Sequence, residues 1–352
     1  MLTTNGHVEY PLKNMTNYLW TGQLKCYDIN GNVVSCHNSG QDAEFLNGTP
    51  WPSQRFVVHE DLVLDNLTGL QWLKNANYGE FPLNWQEALD YIVGMNKEQV
   101  GGRTDWRLPN RREFRSLLSL DTRKPALPAK HPFENVFLNW YWTSTTAAIN
   151  PKYAWYVHME GARMFFGRKD QYYLFWPICG KSKRGIPKTG QIKCYDSEGN
   201  EVSCAETNQD GDLQMGLIWP KPRFTLQKDI VLDRLTGLYW LKNANIYPKK
   251  MNWLEALNNV KKFARDMSKK HMQWRLPTIN ELESLVDCSQ HGPALPSDHP
   301  FENVRDVYWS STTSFFEPDW AWALYFNKGA TGVGFKQNKD FHLWPVASKP
   351  GE

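Results

Sequence analysis

The chain has 352 residues, more than one hydrophobic core usually organises, so two domains are expected. A formal net charge of +3 excludes a wholly basic nucleic-acid coat, and a mean hydropathy of −0.60 without any long apolar run gives no reason to expect a membrane span. Seventeen tryptophans and 14% aromatic residues exclude a disordered chain.

Residues 1–20 read as an N-terminal extension with no apolar secretion core. Next, Cys26 and Cys36 flank YDINGNVVS, a short hairpin turning at Asn30-Gly31. Cys194 and Cys204 flank YDSEGNEVS in the same way. A cysteine at each end of a tight hairpin suits a disulfide, whereas zinc, the rival reading, lacks a C-x-x-C knuckle. Disulfides persist in oxidising compartments, which favours a mature extracellular, cell-surface or periplasmic chain carrying a new initiator Met.

Asp61 to Leu73 reads as two strands turning at Thr68-Gly69. Trp85, Ala88, Leu89 and Ile92 have helical spacing, and Asn84 with Glu87 forms an N-terminal capping box. A second helix starts at Asn110 with Glu113 and buries Phe114, Leu117 and Leu118. Tyr141 to Pro177 is rich in aromatics and short strands. Two helices followed by short strands make an α+β unit.

That unit occurs twice. TGQLKCYDINGNVVSC at 21–36 returns as TGQIKCYDSEGNEVSC at 189–204, and HPFENV at 131–136 returns at 299–304. The period is far too long for a solenoid repeat, so the copies are whole domains. The expected division is 1–20, a first copy at 21–179, a charged Gly/Pro-containing linker at 180–188, a second copy at 189–346, and a tail at 347–352. Each copy has its own capped helices and tryptophans, so each is expected to fold alone.

GQ-x-K-C-Y-D, LDxLTGLxWLKNAN, NWxEAL, WRLP[NT]xxE, PALPxxHPFENV, YW[ST]ST and WP[IV] run in that order through both copies. Together they closely resemble the Lcl C-terminal domain family, named after a collagen-like adhesin and often exported. The resemblance implies two tandem C-type-lectin-like domains, each with two helices, a short-stranded mixed sheet and an irregular ligand-facing loop region. It also implies adhesion or recognition through a glycan, polyanion or protein ligand.

The tryptophans at matching places, 51/219, 72/240, 85/253, 106/274, 142/309, 155/322 and 176/344, are expected in the core rather than against sugars. Arg107 and Arg275 are expected to pair with Glu113 and Glu281. Asp65 and Asp233 could hold calcium, but ordinary turn chemistry accounts for them, and His131 and His299 lack a second ligand, so no metal or cofactor is expected. Glu317-Pro318-Asp319 resembles a lectin calcium triplet, but without its partner motif it is read as coincidence.

Differences between the copies point to candidate ligand contacts. Trp140, Tyr153, Phe315, Phe316 and Trp320 read as aromatics without an aromatic counterpart, fit for a ligand or for packing between the copies. Lys261, Arg265 and Lys269, with Lys262 beside them, form a basic stripe on the first helix of the second copy. A solvated helix face is the plain reading, and a polyanion site the sharper one. No activated nucleophile or acid–base pair is visible, so a non-catalytic binding protein is expected rather than an enzyme. The alternatives are a protein-binding display module or a structural subunit of a surface assembly. The oligomeric state is not readable.

Overall fold

The computed structural model describes residues 16–182, 185–267 and 272–348. In the first copy the strands are β1 (Cys26–Tyr27), β2 (Val33–Val34), β3 (Phe56–His59), β4 (Leu62–Asp65), β5 (Gln71–Leu73), β6 (Trp140–Thr146), β7 (Tyr153–His158), β8 (Arg163–Arg168) and β9 (Ile178–Cys179). Its helices are α1 (Asp42–Phe45), α2 (Trp85–Lys97) and α3 (Arg111–Leu117). The second copy has β10 (Cys194–Tyr195), β11 (Glu201–Val202), β12 (Phe224–Gln227), β13 (Ile230–Asp233), β14 (Leu238–Leu241), β15 (Gln273–Arg275), β16 (Val307–Thr313), β17 (Trp320–Tyr325), β18 (Ala330–Phe335) and β19 (Val346–Ser348). Its helices are α4 (Asp210–Leu213), α5 (Trp253–Asp266) and α6 (Ile279–Ser284).

The result is a mixed helix-and-strand protein in two similar halves. Each half has a sheet of order β3-β4-β5-β9 or β12-β13-β14-β19-β15, and a three-stranded sheet, β6-β7-β8 or β16-β17-β18. The resemblance implied mixed sheets. Among the described residues the pairings between named strands are antiparallel, because hairpins connect most neighbours, and parallel pairing enters through single bridges, among them Tyr141 of β6 with Leu174 and Tyr308 of β16 with His342. A third, four-residue helix per copy, α1 or α4, was also not expected.

The expected capping boxes start all four longer helices, at Asn84, Asn110, Asn252 and Thr278. Six of the seven tryptophan pairs are buried, while Trp51 and Trp219 lie half-buried under Arg55 and Arg223. Arg107 meets Glu113 at 2.6 Å and Arg275 meets Glu281 at 2.5 Å, so each WRLP strand segment is tied to the following helix. Asp65 and Asp233 are buried in ion pairs with Arg55 and Arg223. Both hairpin disulfides, Cys26–Cys36 and Cys194–Cys204, are present.

The hairpins are exchanged. Each packs on the other copy's core. In β16 the register against β17 shifts between Trp309 and Thr313, freeing backbone and hydroxyl groups. Gln23 fills that gap like a strand, its amide bonding Thr313 O at 2.9 Å and Thr313 N at 3.0 Å. Thr312 donates to Asp42 at 2.6 Å. The mirror set joins Gln191 to Thr146 and Thr145 to Asp210.

Two lysines complete the exchange. Lys336, buried over the Trp253 ring at 4.1 Å, donates to the Asp28 carbonyl, and Lys169 over Trp85 donates to those of Tyr195 and Asp196. A sequence copy and a packed half are therefore different segments. An isolated copy would carry a hairpin without its acceptor and an acceptor without its hairpin, which removes the ground for expecting each copy to fold alone.

Candidate functional site

The two three-stranded sheets face each other through their edge strands, β8 from the first copy and β18 from the second. The copies differ most usefully here. At matching positions β8 carries Arg163-Met164-Phe165, and β18 carries Ala330-Thr331-Gly332. Large side chains on one strand thus face small ones on the other, and a groove of about 580 Å³ opens between them. That volume falls in the range of small-ligand pockets. Gly332 is needed, since a Cβ there would sit 2.7 Å from the Tyr325 ring.

The first copy contributes Trp140, Arg163, Met164 and Phe165, and the second contributes Glu317, Trp320, Tyr325, Lys328 and the strand Ala330–Val333. Trp140 is braced by Tyr156 at 4.1 Å and His158 at 4.5 Å. Phe165 stacks on Phe166 at 4.5 Å while staying 39% exposed, and Trp320 leans on Phe335 at 5.6 Å. Lys328 Nζ lies 5.8 Å from the Phe165 ring centre. Among the described residues Arg163, Lys328 and Glu317 make no ion pair, so two cations and one carboxylate border the rings.

The groove brings Trp140 and Trp320 together; the other candidates go elsewhere. Phe316 packs on Gly161 and under Arg163 and Lys124 of the first copy, which makes it a contact between copies. Phe315 is half-buried and outside the groove lining. Tyr153 packs on Phe166 and does not line the groove. Tyr153 also has an aromatic counterpart after all. Both Tyr153 and Trp320 open the middle strand of their sheets, because the offset between copies shortens from 168 to 167 before it.

The basic stripe is not one surface. Lys261 Nζ donates to the Asn38 carbonyl of the docked hairpin, and burial with nearby Arg265 lowers its pKa despite the pull of Glu44. Lys262 and Arg265 are exposed on α5, and Lys269 lies outside the described residues. No residue of α5 lines the groove.

Arg163, Phe165, Tyr325 and Lys328 were missed by sequence reasoning. Setting the third strands of the two sheets side by side would have exposed the Arg-Met-Phe against Ala-Thr-Gly contrast. The lectin-like triplet Glu317-Pro318-Asp319 is used differently: Glu317 lines the groove, while Pro318 and Asp319 pack against Gly31 of the hairpin.

Other reactive groups are packed into the fold. Burial pushes the free thiols of Cys179 and Cys288 up to about 11, which keeps them as thiols. His131 and His299 stack on Phe133 and Phe301, and burial lowers their pKa values. Among the described residues no group of three or more His, Cys, Asp or Glu could hold a metal, and no helix is long and apolar enough to cross a membrane.

No curated protein and no solved structure matches the chain. A family model, that of the Lcl C-terminal domain, matches twice, over residues 61–179 and 229–347. Both matches begin after the exchanged hairpins and contain β8 and β18, the strands that border the groove. The chain therefore belongs to the Lcl C-terminal domain family and carries that domain twice.

Proposed function

We propose that the protein is a non-catalytic recognition protein of an oxidising, extracytoplasmic compartment, and that its ligand is a surface glycan bearing anionic groups. The observation that carries this reading is the groove: four aromatic residues, Trp140, Phe165, Trp320 and Tyr325, are drawn from both copies beside Arg163 and Lys328. Aromatic faces accept the C–H faces of sugar rings, and the cations accept carboxylate or sulfate. Glu317 offers an acceptor for hydroxyl groups. The two disulfides support the compartment.

Calorimetric titration of the full chain with neutral, uronate-containing and sulfated oligosaccharides tests this reading. Binding of an anionic saccharide, weakening as salt rises, is expected because exposed charges are screened within ~8 Å at physiological salt. Failure of every saccharide to bind at low salt would contradict it and favour a protein ligand.

A further inference from the structure

The groove has one wall whose position is set from a distance. Glu317 and Trp320 lie at the two ends of a tight turn in which Trp320 N donates to Glu317 O at 2.8 Å. Between them, Pro318 and Asp319 face the tip of the first copy's hairpin. A Cβ on Gly31 would come 3.0 Å from Asp319 N and 3.3 Å from the Pro318 carbonyl carbon. The tip is fastened on the far side of the turn too: Asn30 accepts from Gln337 at 3.0 Å, and the Asp28 carbonyl accepts from Lys336 at 3.1 Å. Lys336 N in turn donates to Asp319 O at 3.0 Å.

We infer that the Cys26–Cys36 hairpin is a positioning element for the groove, holding the Glu317–Trp320 wall in its binding geometry. This inference rests on the ligand reading above only for its effect on affinity. A buttress of this kind acts by pre-organisation: with the tip displaced, the turn and Trp320 must be ordered at the moment of binding.

The second hairpin is a built-in control. Its tip, Gly199, packs on Pro151 and Lys152 in the same manner, but the strand that follows starts with Tyr153, which does not line the groove. Opening either hairpin removes an equivalent disulfide from an equivalent seam. Only the first seats a groove-lining residue directly; the second reaches the groove at one remove, through Tyr153 on Phe166 and Phe166 on Phe165, so its effect should be weaker.

The experiment uses the full chain with 5-fluorotryptophan, the Trp320 resonance being assigned by Trp320→Phe. Cys26→Ser with Cys36→Ser should shift that resonance and weaken binding of the anionic saccharide about tenfold (~1.4 kcal/mol). Cys194→Ser with Cys204→Ser should leave the Trp320 resonance in place and weaken binding less. Gly31→Ala against Gly199→Ala repeats the comparison with both disulfides intact, should an opened hairpin undock altogether. An unmoved Trp320 resonance in both first-hairpin variants, or equal effects from the two hairpins, would overturn the positioning role. A Trp320 shift in a protein that binds no saccharide would uphold the positioning and sink the ligand reading instead.

Discussion

Arg115 and Glu283 occupy the same position in the two copies and face each other across their junction, with Nε 2.7 Å from Oε2. Arg111 reaches the same carboxylate at 3.0 Å, and Arg112 donates to the carbonyls of Ser284 and Val286. In an assembly of two identical copies this position would oppose like charges. The pairing therefore gives the tandem a reason to keep two different copies in fixed roles.

Glu283→Ala leaves guanidinium groups buried without their carboxylate. Removing one partner of such a pair costs about 3–5 kcal/mol. Urea denaturation of the full chain should show a loss of that order, with Glu283→Gln intermediate. A loss below ~1 kcal/mol would mean that solvent already reaches the junction.

Exchange of hairpins predicts that the halves stay together without a covalent link. A protease site built at residues 181–185, once cut, should leave a complex of full mass on size-exclusion chromatography under native, non-reducing conditions. Urea should separate it into two chains. Separation without denaturant would contradict the exchanged packing.

The seams also predict a pH profile. Asp42 and Asp210 are fully buried, each with one carboxylate oxygen lacking a hydrogen-bond partner, and burial raises them from 3.8 to about 7 and about 6. Between pH ~4 and those values the folded chain holds protons that the unfolded chain releases, so stability falls as pH rises. Burial lowers Lys169 and Lys336 from 10.5 to about 7. From pH ~7 to ~10.5 the unfolded chain holds the extra protons, so this contribution rises with pH. Asp42→Asn with Asp210→Asn should flatten the acidic limb of urea midpoint against pH. An unchanged slope between pH 4 and 7 would show that these carboxyls are not the groups responsible.

Cysteine labelling gives an independent check. Four cysteines are in disulfides and two are buried thiols. Alkylation of the native chain should label none, and alkylation in urea without reductant should label two, Cys179 and Cys288. Labelling of Cys26 or Cys194 in oxidised native material would contradict the hairpin disulfides.

Local features were legible in the sequence because their causes are local. Capping boxes, hairpin cysteines and repeated buried tryptophans follow from spacing within a few residues. The exchange was not legible: Gln23 and Gln191 head near-identical hairpins, and their acceptors at Thr313 and Thr146 belong to near-identical strands. Either acceptor satisfies either hairpin by sequence, and only chain geometry decides. The groove was half legible. Trp140 and Trp320 stood out as large aromatics, but Phe165 was hidden because its counterpart, Gly332, reads as an ordinary strand glycine. Lys261 misled because its charge reads as solvated until a hairpin from the other copy covers it.

The most direct test of the account is calorimetry of one anionic oligosaccharide against four full-length proteins: wild type, Trp140→Ala, Trp320→Ala, and Lys262→Ser with Arg265→Ser. Trp140 comes from the first copy and Trp320 from the second, so a composite groove predicts that each alanine variant loses about tenfold or more in affinity (~1.4 kcal/mol). The α5 variant should bind within about twofold of wild type, roughly 0.4 kcal/mol at RT ≈ 0.59 kcal/mol. Full affinity in both tryptophan variants, with loss confined to the α5 variant, would contradict the groove and move recognition to the helix surface.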